Sequence, residues 1–394
     1  MISPPPRCAA VVVGAGPAGL AVVGNLLEKQ LGSIVWVDPL FQGGRVNRKY
    51  REVPSNTKVA LFQAFATAVQ PFQAVINNTR IPNAFTTMAK LDQQKPCHLH
   101  HAADVVRGLT DGLVKTDQVH ACRGYVTAAN LDYDQSWTVR IQGADSASEM
   151  EVMTSRLILC TGSSPTQVPI PVPGASVQRL DLDVVLKPSE LASTLPQNSP
   201  STVAVVGASH SAILALLNLF DLAHTSHPNI RIKWFTRHPL RYAEYMDGWI
   251  LRDNTGLKGR AADFARAQLE DAALPTSEAG KCITKIDCGG GAAKEAAQFQ
   301  RHLPSCTHLT QAIGYTRDPL PELSIDRELL PAEDLKWDSS FGGFTDRAGA
   351  VIPGLHGAGI AFPERVVDPH GNVEHAVGFF KFMKFIKRVS PLWA

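Results

Sequence analysis

The sequence predicts an α/β protein with two parallel-sheet domains, because one pattern of residues occurs twice along the chain. Near the start, the apolar run of residues 9–13 leads into a glycine-rich turn at residues 14–19. A second apolar run, residues 203–206, leads into a similar turn at residues 207–212. Each turn is followed by a helical stretch and another apolar run. Continuous apolar runs are typical of strands buried on both faces of a parallel sheet.

The first turn has the spacing of a dinucleotide-binding site. Gly14 permits the tight turn, Gly16 lets the backbone approach a pyrophosphate, and Gly19 lets the helix pack closely on the strand. The amides and the dipole at the N-terminus of that helix favour an anion. The next apolar run ends in Asp38, whose carboxylate can accept hydrogen bonds from ribose hydroxyls. Asp38 therefore favours a nucleotide with a free 2′-hydroxyl, as in FAD or NAD.

The second turn also has small residues at the glycine positions, but the strand that follows it leads to a basic residue instead of an acid. Ser209 and Ala212 replace the second and third glycines, and both are small enough for the backbone to approach a phosphate. The strand predicted at residues 232–235 is followed by Thr236 and Arg237 instead of an acid. A cation at this corner favours a 2′-phosphate, and hence NADPH over NADH. The alternative is that Arg237 is only a solvated charge at the end of a strand.

Composition describes an ordinary globular chain. Its 394 residues, 44% hydrophobic and 19% charged, suffice for two domains. A formal net charge of +2 gives no reason to expect a nucleic acid or membrane partner. Without a secretory signal or a membrane-length apolar run, we expect a cytoplasmic protein. The seven cysteines form no C-x-x-C pair, which favours reduced thiols and no metal site.

The domain organisation follows from where the two patterns lie and from a proline-rich, linker-like stretch at residues 165–173. We predict two Rossmann-like dinucleotide-binding domains, with the second inserted into a discontinuous first. The predicted first domain, for FAD, comprises residues 1–166 and 308–394 with a helical insertion at about 62–113. The predicted NADPH domain comprises residues 167–307.

This order of motifs resembles the two-dinucleotide-domain flavoproteins, in which the first motif holds FAD and the inserted domain holds NAD(P)H. Residues 160–162 (Cys-Thr-Gly) and 312–314 (Ala-Ile-Gly) stand where that family has its connecting strands. Residues 357–359 stand where the family brings a helix N-terminus to the flavin. The Gly-x-Ser-x-Ser-Ala form at residues 207–212 is similar to the NADPH motif of class B flavin monooxygenases, including flavin-containing and N-hydroxylating enzymes.

The resemblance implies a set of cofactor-binding positions. For FAD these are Gly14, Gly16, Pro17, Ala18, Gly19, Asp38, Pro39, Arg45, Val126, Thr161, Gly162, Gly359 and His375. For NADPH they are Gly207, Ser209, His210, Ser211, Thr236 and Arg237. Candidates for catalytic positions, which stabilise the reactive flavin or orient the nicotinamide, are Asn254, Arg252 and Asn56. For those three an ordinary structural role is the alternative.

The function implied by the resemblance is that of an FAD- and NADPH-dependent monooxygenase. NADPH would reduce the flavin, and a C4a-peroxyflavin would insert one oxygen atom of O2 into a small organic substrate. One alternative is an NADPH-dependent flavin reductase or oxidase that inserts no oxygen. Another is a non-catalytic flavoprotein that serves as a redox sensor. The residues leave the substrate and the oligomeric state open.

Overall fold

The computed structural model describes residues 5–144 and 148–393 and divides the chain into two compact units. Unit 1 comprises Met1–Arg48, Thr57–Ser163 and Arg317–Ala394, and unit 2 comprises Lys49–Asn56 and Ser164–Thr316. We predicted boundaries at 166/167 and 307/308. The later boundary differs because the strand His308–Gln311 pairs in parallel with Ser201–Val206 in the sheet of unit 2.

The central sheet of unit 1 has seven strands among the described residues, and its last five run parallel. Both apolar runs of the first predicted pattern are strands at its centre, and their residues are almost completely buried. In order across the sheet the strands are Lys336–Asp338, Gly343–Thr345, Val351–Gly357, Leu157–Leu159, Ala10–Val13, Ile34–Val37 and Val119–Cys122.

A second sheet of unit 1 is mixed, with three antiparallel and two parallel strand pairings. Its strands, in order, are Arg7–Cys8, Glu149–Thr154, Trp137–Gly143, Gly124–Leu131, Glu322–Ile325 and Glu328–Leu329. The remaining strands of this unit are Pro96–His98 and the antiparallel pair Glu364–Val367 and Val373–Ala376. Three further strands each include a position where the chain passes from one unit to the other: Pro54–Lys58, Ser163–Pro165 and Tyr315–Arg317.

The helices of unit 1 include the predicted insertion. Four helices cover that region, and two of them, Gln70–Asn78 and Leu99–Leu113, pack against the first helix of the chain. A Cβ added at Gly24 of that first helix would lie 2.4 Å from the ring of Phe72. The α-helices are Pro17–Glu28, Gly44–Lys49, Val59–Ala66, Gln70–Asn78, Ala84–Lys90, Leu99–Leu113 and Phe379–Val389. Short 3₁₀ turns are Ala332–Asp334 and Ser390–Trp393.

Unit 2 contains one parallel sheet of five strands. In order these are Gln178–Arg179, His308–Gln311, Ser201–Val206, Ile230–Thr236 and Ile283–Asp287. A small hairpin pairs Glu244–Tyr245 with Ile250–Leu251. The helices are Leu182–Val185, Pro188–Thr194, His210–Thr225, Gly259–Phe264, the π-helix Ala265–Leu269, Ala292–His302 and the 3₁₀ turns Leu274–Thr276, Ala279–Lys281 and Leu303–Ser305. The predicted α/β class with two parallel-sheet dinucleotide folds is confirmed.

Within residues 5–144 and 148–393, no single helix has the length and apolar character needed to cross a membrane. One helix pair, Val59–Ala66 with Gln70–Asn78, meets that test of length and composition only when joined across a bend of 98°.

Candidate nucleotide-binding sites

The first glycine-rich turn of unit 1 is shaped by backbone contacts that exclude side chains. Gly14 has a φ of +102°, and a Cβ there would lie 2.4 Å from the carbonyl oxygen of Cys160. A Cβ at Gly19 would lie 1.8 Å from the carbonyl oxygen of Gly14. The helix that follows, Pro17–Glu28, begins at Gly16 with no side-chain cap. Its first amides are therefore available to an anion such as a pyrophosphate.

Two further glycines bring other segments of unit 1 against this turn. Gly44 has a φ of +68°, and a Cβ there would lie 2.8 Å from the Cα of Gly16. Gly359 has a φ of +90°, and a Cβ there would lie 2.5 Å from the Cβ of Ala18. Only glycine allows both approaches, so bare backbone lines this side of the turn. Arg45 follows Gly44 in the first turn of the helix Gly44–Lys49.

Asp38 is held in one orientation by three backbone amides. Its Oδ2 accepts from the Ala15 amide at 2.8 Å, and its Oδ1 accepts from the amides of Leu40 and Phe41 at 2.8 and 2.7 Å. A carboxylate offers about four acceptor positions, so acceptor capacity remains for a ribose hydroxyl. Pro39 follows immediately and is half-buried. The predicted acid is therefore a rigid acceptor beside the turn.

The strand next to Asp38 carries the predicted position Val126. The amide of Gly124 donates to the carbonyl oxygen of Asp38 at 3.3 Å, which starts the strand Gly124–Leu131 at the acid. Val126 is the third residue of that strand and is buried. It stands at a register shift between residues 126 and 128.

A buried hydroxyl without a partner lies beyond the strand Leu157–Leu159. The Oγ1 of Thr161 has no hydrogen-bond partner among the described residues. Gly162, with a φ of +85°, accepts from the amide of Asp318 at 3.1 Å through its carbonyl oxygen. A buried polar atom left unpaired costs free energy, and a bound polar ligand would satisfy it. We did not predict Asp318, because only the fold brings residues 162 and 318 together.

These features fit a dinucleotide such as FAD. An uncapped helix N-terminus, glycines whose Cβ atoms would clash, a fixed carboxylate and an orphaned buried hydroxyl all belong to unit 1. The predicted position His375 is different in character, because it is exposed on the strand Val373–Ala376, opposite Arg365. The structure therefore supplies no buried contact surface at His375.

The second glycine-rich turn, in unit 2, repeats the geometry of the first. Gly207 has a φ of +133°, and a Cβ there would lie 2.3 Å from the carbonyl oxygen of Ala312. The helix His210–Thr225 begins at Ser209, again without a side-chain cap. Ser209 is exposed and Ser211 half-buried, both at the start of that helix. The first amides of this helix are likewise available to an anion.

His210, in the first turn of that helix, is held neutral. Its Nδ1 is buried and has no hydrogen-bond partner among the described residues. Burial, with a smaller contribution from the charge of Lys258, lowers the pKa of His210 from 6.5 to about 4. A neutral imidazole can still exchange a hydrogen bond with a bound cofactor.

The two turns share one further feature, a hydrogen bond from a tryptophan. The indole Nε1 of Trp36 donates to the carbonyl oxygen of Gly14 at 2.9 Å. The indole Nε1 of Trp234 donates to the carbonyl oxygen of Gly207 at 2.7 Å. Both tryptophans are fully buried, each on the strand that follows the glycine-rich turn and its helix along the chain. The turns therefore have the same hydrogen-bonded support in both units.

This correspondence places Thr236 in unit 2 where Asp38 stands in unit 1, two residues after the tryptophan. Thr236 turns its hydroxyl to the carbonyl oxygen of His238 at 2.8 Å. The neighbouring Arg237 is 63% exposed and forms an ion pair with Glu295, with an Nε–Oε1 distance of 2.6 Å. That hydrogen bond raises the pKa of Arg237.

A cavity of about 660 Å³ lies beside this corner. Its lining includes Thr236, Arg237, His238, Asp271, Lys285 and Asp287.

Two of the candidate catalytic residues lie in one loop of unit 2. Arg252, with a φ of +57°, donates from Nε to the carbonyl oxygen of Tyr242 at 2.8 Å and pairs with Glu244. Asn254 is half-buried in the same loop, whereas Asn56 is exposed on the strand Pro54–Lys58. The Arg252 guanidinium is thus engaged within its own loop. The three residues remain candidates.

The chain is similar to one protein family, to one named relative and to two solved structures. The family model described as pyridine nucleotide-disulphide oxidoreductase matches residues 9–224. A protein of Paecilomyces divaricatus, named Monooxygenase AgnR1, is 68% identical over 394 residues, which is 100% of this chain and 99% of that protein. A structure of DfoA bound to FAD, a cadaverine monooxygenase from Erwinia amylovora, is 14% identical with a TM-score of 0.46 and covers 84% of this chain and 82% of that one. A cyclohexanone monooxygenase from Rhodococcus sp. Phi1, bound to NADP+, is 15% identical with a TM-score of 0.41. The match covers 66% of this chain and 44% of that one.

Proposed function

The chain belongs to the pyridine nucleotide-disulphide oxidoreductase family, and from that premise we propose that it is an FAD- and NADPH-dependent monooxygenase. The observation that carries the proposal is the 68% identity, over the whole chain, with a protein named as a monooxygenase. The chain is an oxidoreductase with two nucleotide-binding turns. A small organic substrate and molecular oxygen are the reactants that this function requires. A cytoplasmic location stays a prediction.

Unit 1 would hold FAD and unit 2 would hold NADPH. When bound, the flavin supplies hydride acceptance and oxygen activation, chemistry that protein side chains lack. The residues of the chain bind and orient the two cofactors. Asp38, fixed by three amides, would accept from a ribose hydroxyl, and the uncapped amides after Gly16 and Ser209 would receive phosphate oxygens. The Thr161 hydroxyl would complete the polar contacts in unit 1.

An exposed cationic side chain, Arg317, also belongs to unit 1. Arg317 donates from Nε to the carbonyl oxygen of Ala361 at 3.1 Å, and its guanidinium lies 4.3 Å from the ring centre of Phe362. Burial lowers the pKa of Arg317, although the group remains protonated at any physiological pH. Arg317 adjoins Asp318, whose amide donates to Gly162. It would therefore supply fixed positive charge close to the Thr161–Gly162 segment.

The disulphide chemistry in the family's description does not suit this chain. Each of the seven cysteines is a free thiol. Cys160 is the cysteine at the first turn, where its Cβ would lie 3.7 Å from a Cβ added at Gly14. Burial raises the pKa of Cys160 to about 12, so its thiolate is scarce at neutral pH. Electrons from NADPH would therefore pass to oxygen and substrate instead of to a dithiol.

The proposal is tested by following both NADPH and oxygen. Anaerobic addition of NADPH should bleach the flavin absorbance of the purified protein. Turnover under ¹⁸O₂, with candidate substrates of the 68% identical monooxygenase, should give a product that carries one labelled oxygen atom. NADPH oxidation matched entirely by hydrogen peroxide, with no label in any product, would instead identify an oxidase. Failure of NADPH to bleach the flavin would favour the non-catalytic alternative.

A further inference from the structure

We propose that Glu295 is a positioning residue for coenzyme specificity, which holds Arg237 so that its two terminal nitrogens face the 2′-phosphate of NADPH. This inference rests on the proposed use of NADPH. It concerns the ion pair between Arg237 and Glu295 in unit 2, which the two glycine-rich motifs do not predict.

The hydrogen bond uses one edge of the guanidinium and leaves the other available. The Nε of Arg237 donates to Oε1 of Glu295 at 2.6 Å. Its Nη1 and Nη2 atoms make no hydrogen bond to any residue in the described ranges. Arginine presents its donors as a rigid planar fork that matches a phosphate in a bidentate way. Fixing the Nε edge therefore fixes the direction in which the Nη edge points.

Glu295 is suited to this role because its own side chain is largely buried. Its side chain is only 16% exposed, whereas that of Arg237 is 63% exposed. Glu295 lies in the first turn of the helix Ala292–His302, and its amide donates to the carbonyl oxygen of Gly291 at 3.1 Å. One turn later, Phe299 stacks on Phe235 with ring centres 4.9 Å apart and planes inclined by 20°. The helix thus packs against the strand Ile230–Thr236, which ends next to Arg237.

The carboxylate of Glu295 is also electrostatically unfavourable for a bound phosphate, which makes the proposal testable. A carboxylate near a phosphate repels it. The other charges around the corner are paired with one another: Lys294 with Asp287 at 2.5 Å, and Lys285 with Asp271 at 2.6 Å. The thiol of Cys288 is buried beside the pair. Glu295 therefore helps a phosphate only through geometry, so a neutral residue that accepts the same hydrogen bond should serve as well.

A rival role for Glu295 is recognition of a ribose 2′-hydroxyl, which would favour NADH. The two roles predict opposite effects of removing the carboxylate. Under the positioning role, Glu295→Ala frees Arg237 and weakens binding of the 2′-phosphate. Under the rival role, the same change weakens binding of the unphosphorylated nucleotide.

The experiment measures binding of adenosine 2′,5′-bisphosphate and of adenosine 5′-monophosphate to the FAD-loaded protein by titration calorimetry. For Glu295→Ala we expect the Kd of the bisphosphate to rise about three- to tenfold, which is less than the loss of a whole charge-assisted contact, because Arg237 itself remains. The Kd of the monophosphate should stay unchanged. Glu295→Gln should stay within about twofold of the wild type, because its amide oxygen can accept from Nε. Glu190→Ala, which breaks the exposed pair with Lys187 at 3.2 Å on the helix Pro188–Thr194, is the matched control.

The outcomes separate failure of this inference from failure of the proposed function. If Arg237→Ala abolishes the preference for the bisphosphate while Glu295→Ala leaves it intact, Glu295 does not position Arg237 and NADPH use stands. A loss of monophosphate affinity in Glu295→Ala would establish the rival role. If the wild type itself shows no preference for the bisphosphate, both the inference and the assignment of NADPH are overturned. A lowered Tm in Glu295→Ala with unchanged Kd values likewise refutes the positioning role.

Discussion

The indole Nε1 of Trp36 donates a hydrogen bond to the carbonyl oxygen of Gly14 at 2.9 Å, from beneath the first nucleotide-binding turn. A glycine at φ +102° leaves its carbonyl outside the regular strand pattern. The tryptophan satisfies that carbonyl and fills the adjoining space with a fully buried ring. Turn shape and core packing are therefore maintained by one side chain.

Replacing Trp36 by phenylalanine should destabilise unit 1. The change leaves the Gly14 carbonyl without its partner, which costs about 1–3 kcal/mol, and opens a cavity. Urea unfolding should show the lower free energy of unfolding, and the purified variant should retain less FAD. Trp249→Phe, in the hairpin that joins Glu244–Tyr245 to Ile250–Leu251, is a control for the loss of an indole. An unchanged unfolding free energy for Trp36→Phe would refute this role.

Asp38→Ala should produce largely apoprotein. The alanine removes an acceptor from three backbone amides, at 2.7 to 2.8 Å, as well as the proposed ribose contact. Asp38→Asn keeps one acceptor oxygen and should bind FAD about ten- to hundredfold more weakly than the wild type, in line with the loss of one charge-assisted contact. The measurement is the absorbance ratio of flavin to protein after dialysis. A normal flavin content in Asp38→Ala would contradict the assignment.

Acid should destabilise the fold through His356. Burial, then the charge of Arg156, lowers the pKa of His356 from 6.5 to about 3 in the folded protein. The unfolded chain therefore binds a proton below pH 6.5 that the folded chain refuses until about pH 3. Stability falls as the pH drops through this window, by about 1.4 kcal/mol per pH unit for this one group.

The test compares urea unfolding of the wild type and His356→Gln between pH 7 and pH 4. The variant should be less stable at pH 7, because its amide replaces a ring that stacks on Trp393 with centres 4.7 Å apart. Its stability should nevertheless depend less steeply on pH. The exposed His375→Gln serves as the control for loss of an imidazole. Parallel slopes for all three proteins would show that His356 does not titrate in this way.

Turnover should not require any cysteine. Burial raises the pKa of Cys160 to about 12 and that of Cys122 to about 11, so neither is a ready nucleophile at neutral pH. We expect each single cysteine-to-alanine or cysteine-to-serine variant to oxidise NADPH at close to the wild-type rate, with Cys160 variants losing some stability. A variant whose flavin is still bleached by NADPH but which cannot turn over would place the chain among the disulphide reductases.

The fold class and the family follow from the sequence because local patterns encode them. The turns at Gly14 and Gly207 need small residues at fixed spacing, and the structure shows carbonyl oxygens that exclude any larger residue there. The family prediction is confirmed by the match over residues 9–224. These features depend on neighbours within a few residues along the chain.

Features that depend on distant parts of the chain were not predicted. The contact of Asp318 with Gly162 joins residues 156 positions apart, and Glu295 meets Arg237 across 58 positions. The strand His308–Gln311 resembles the strand Leu157–Leu159 in sequence, because each is followed by a small residue that stands two positions before a glycine. Only the pairing of His308–Gln311 with Ser201–Val206 reveals to which sheet it belongs.

The two tryptophans that support the turns also allow binding to be followed by intrinsic fluorescence. Trp36 and Trp234 are two of six tryptophans, and each donates its indole N–H to the turn of a different unit. Indole emission responds to the hydrogen bonding of that N–H and to chromophores close by. A variant that retains only Trp36 would therefore report occupancy of the turn proposed to bind FAD, and one that retains only Trp234 would report occupancy of the turn proposed to bind NADPH. The two binding events can be followed separately in a single polypeptide without any attached dye.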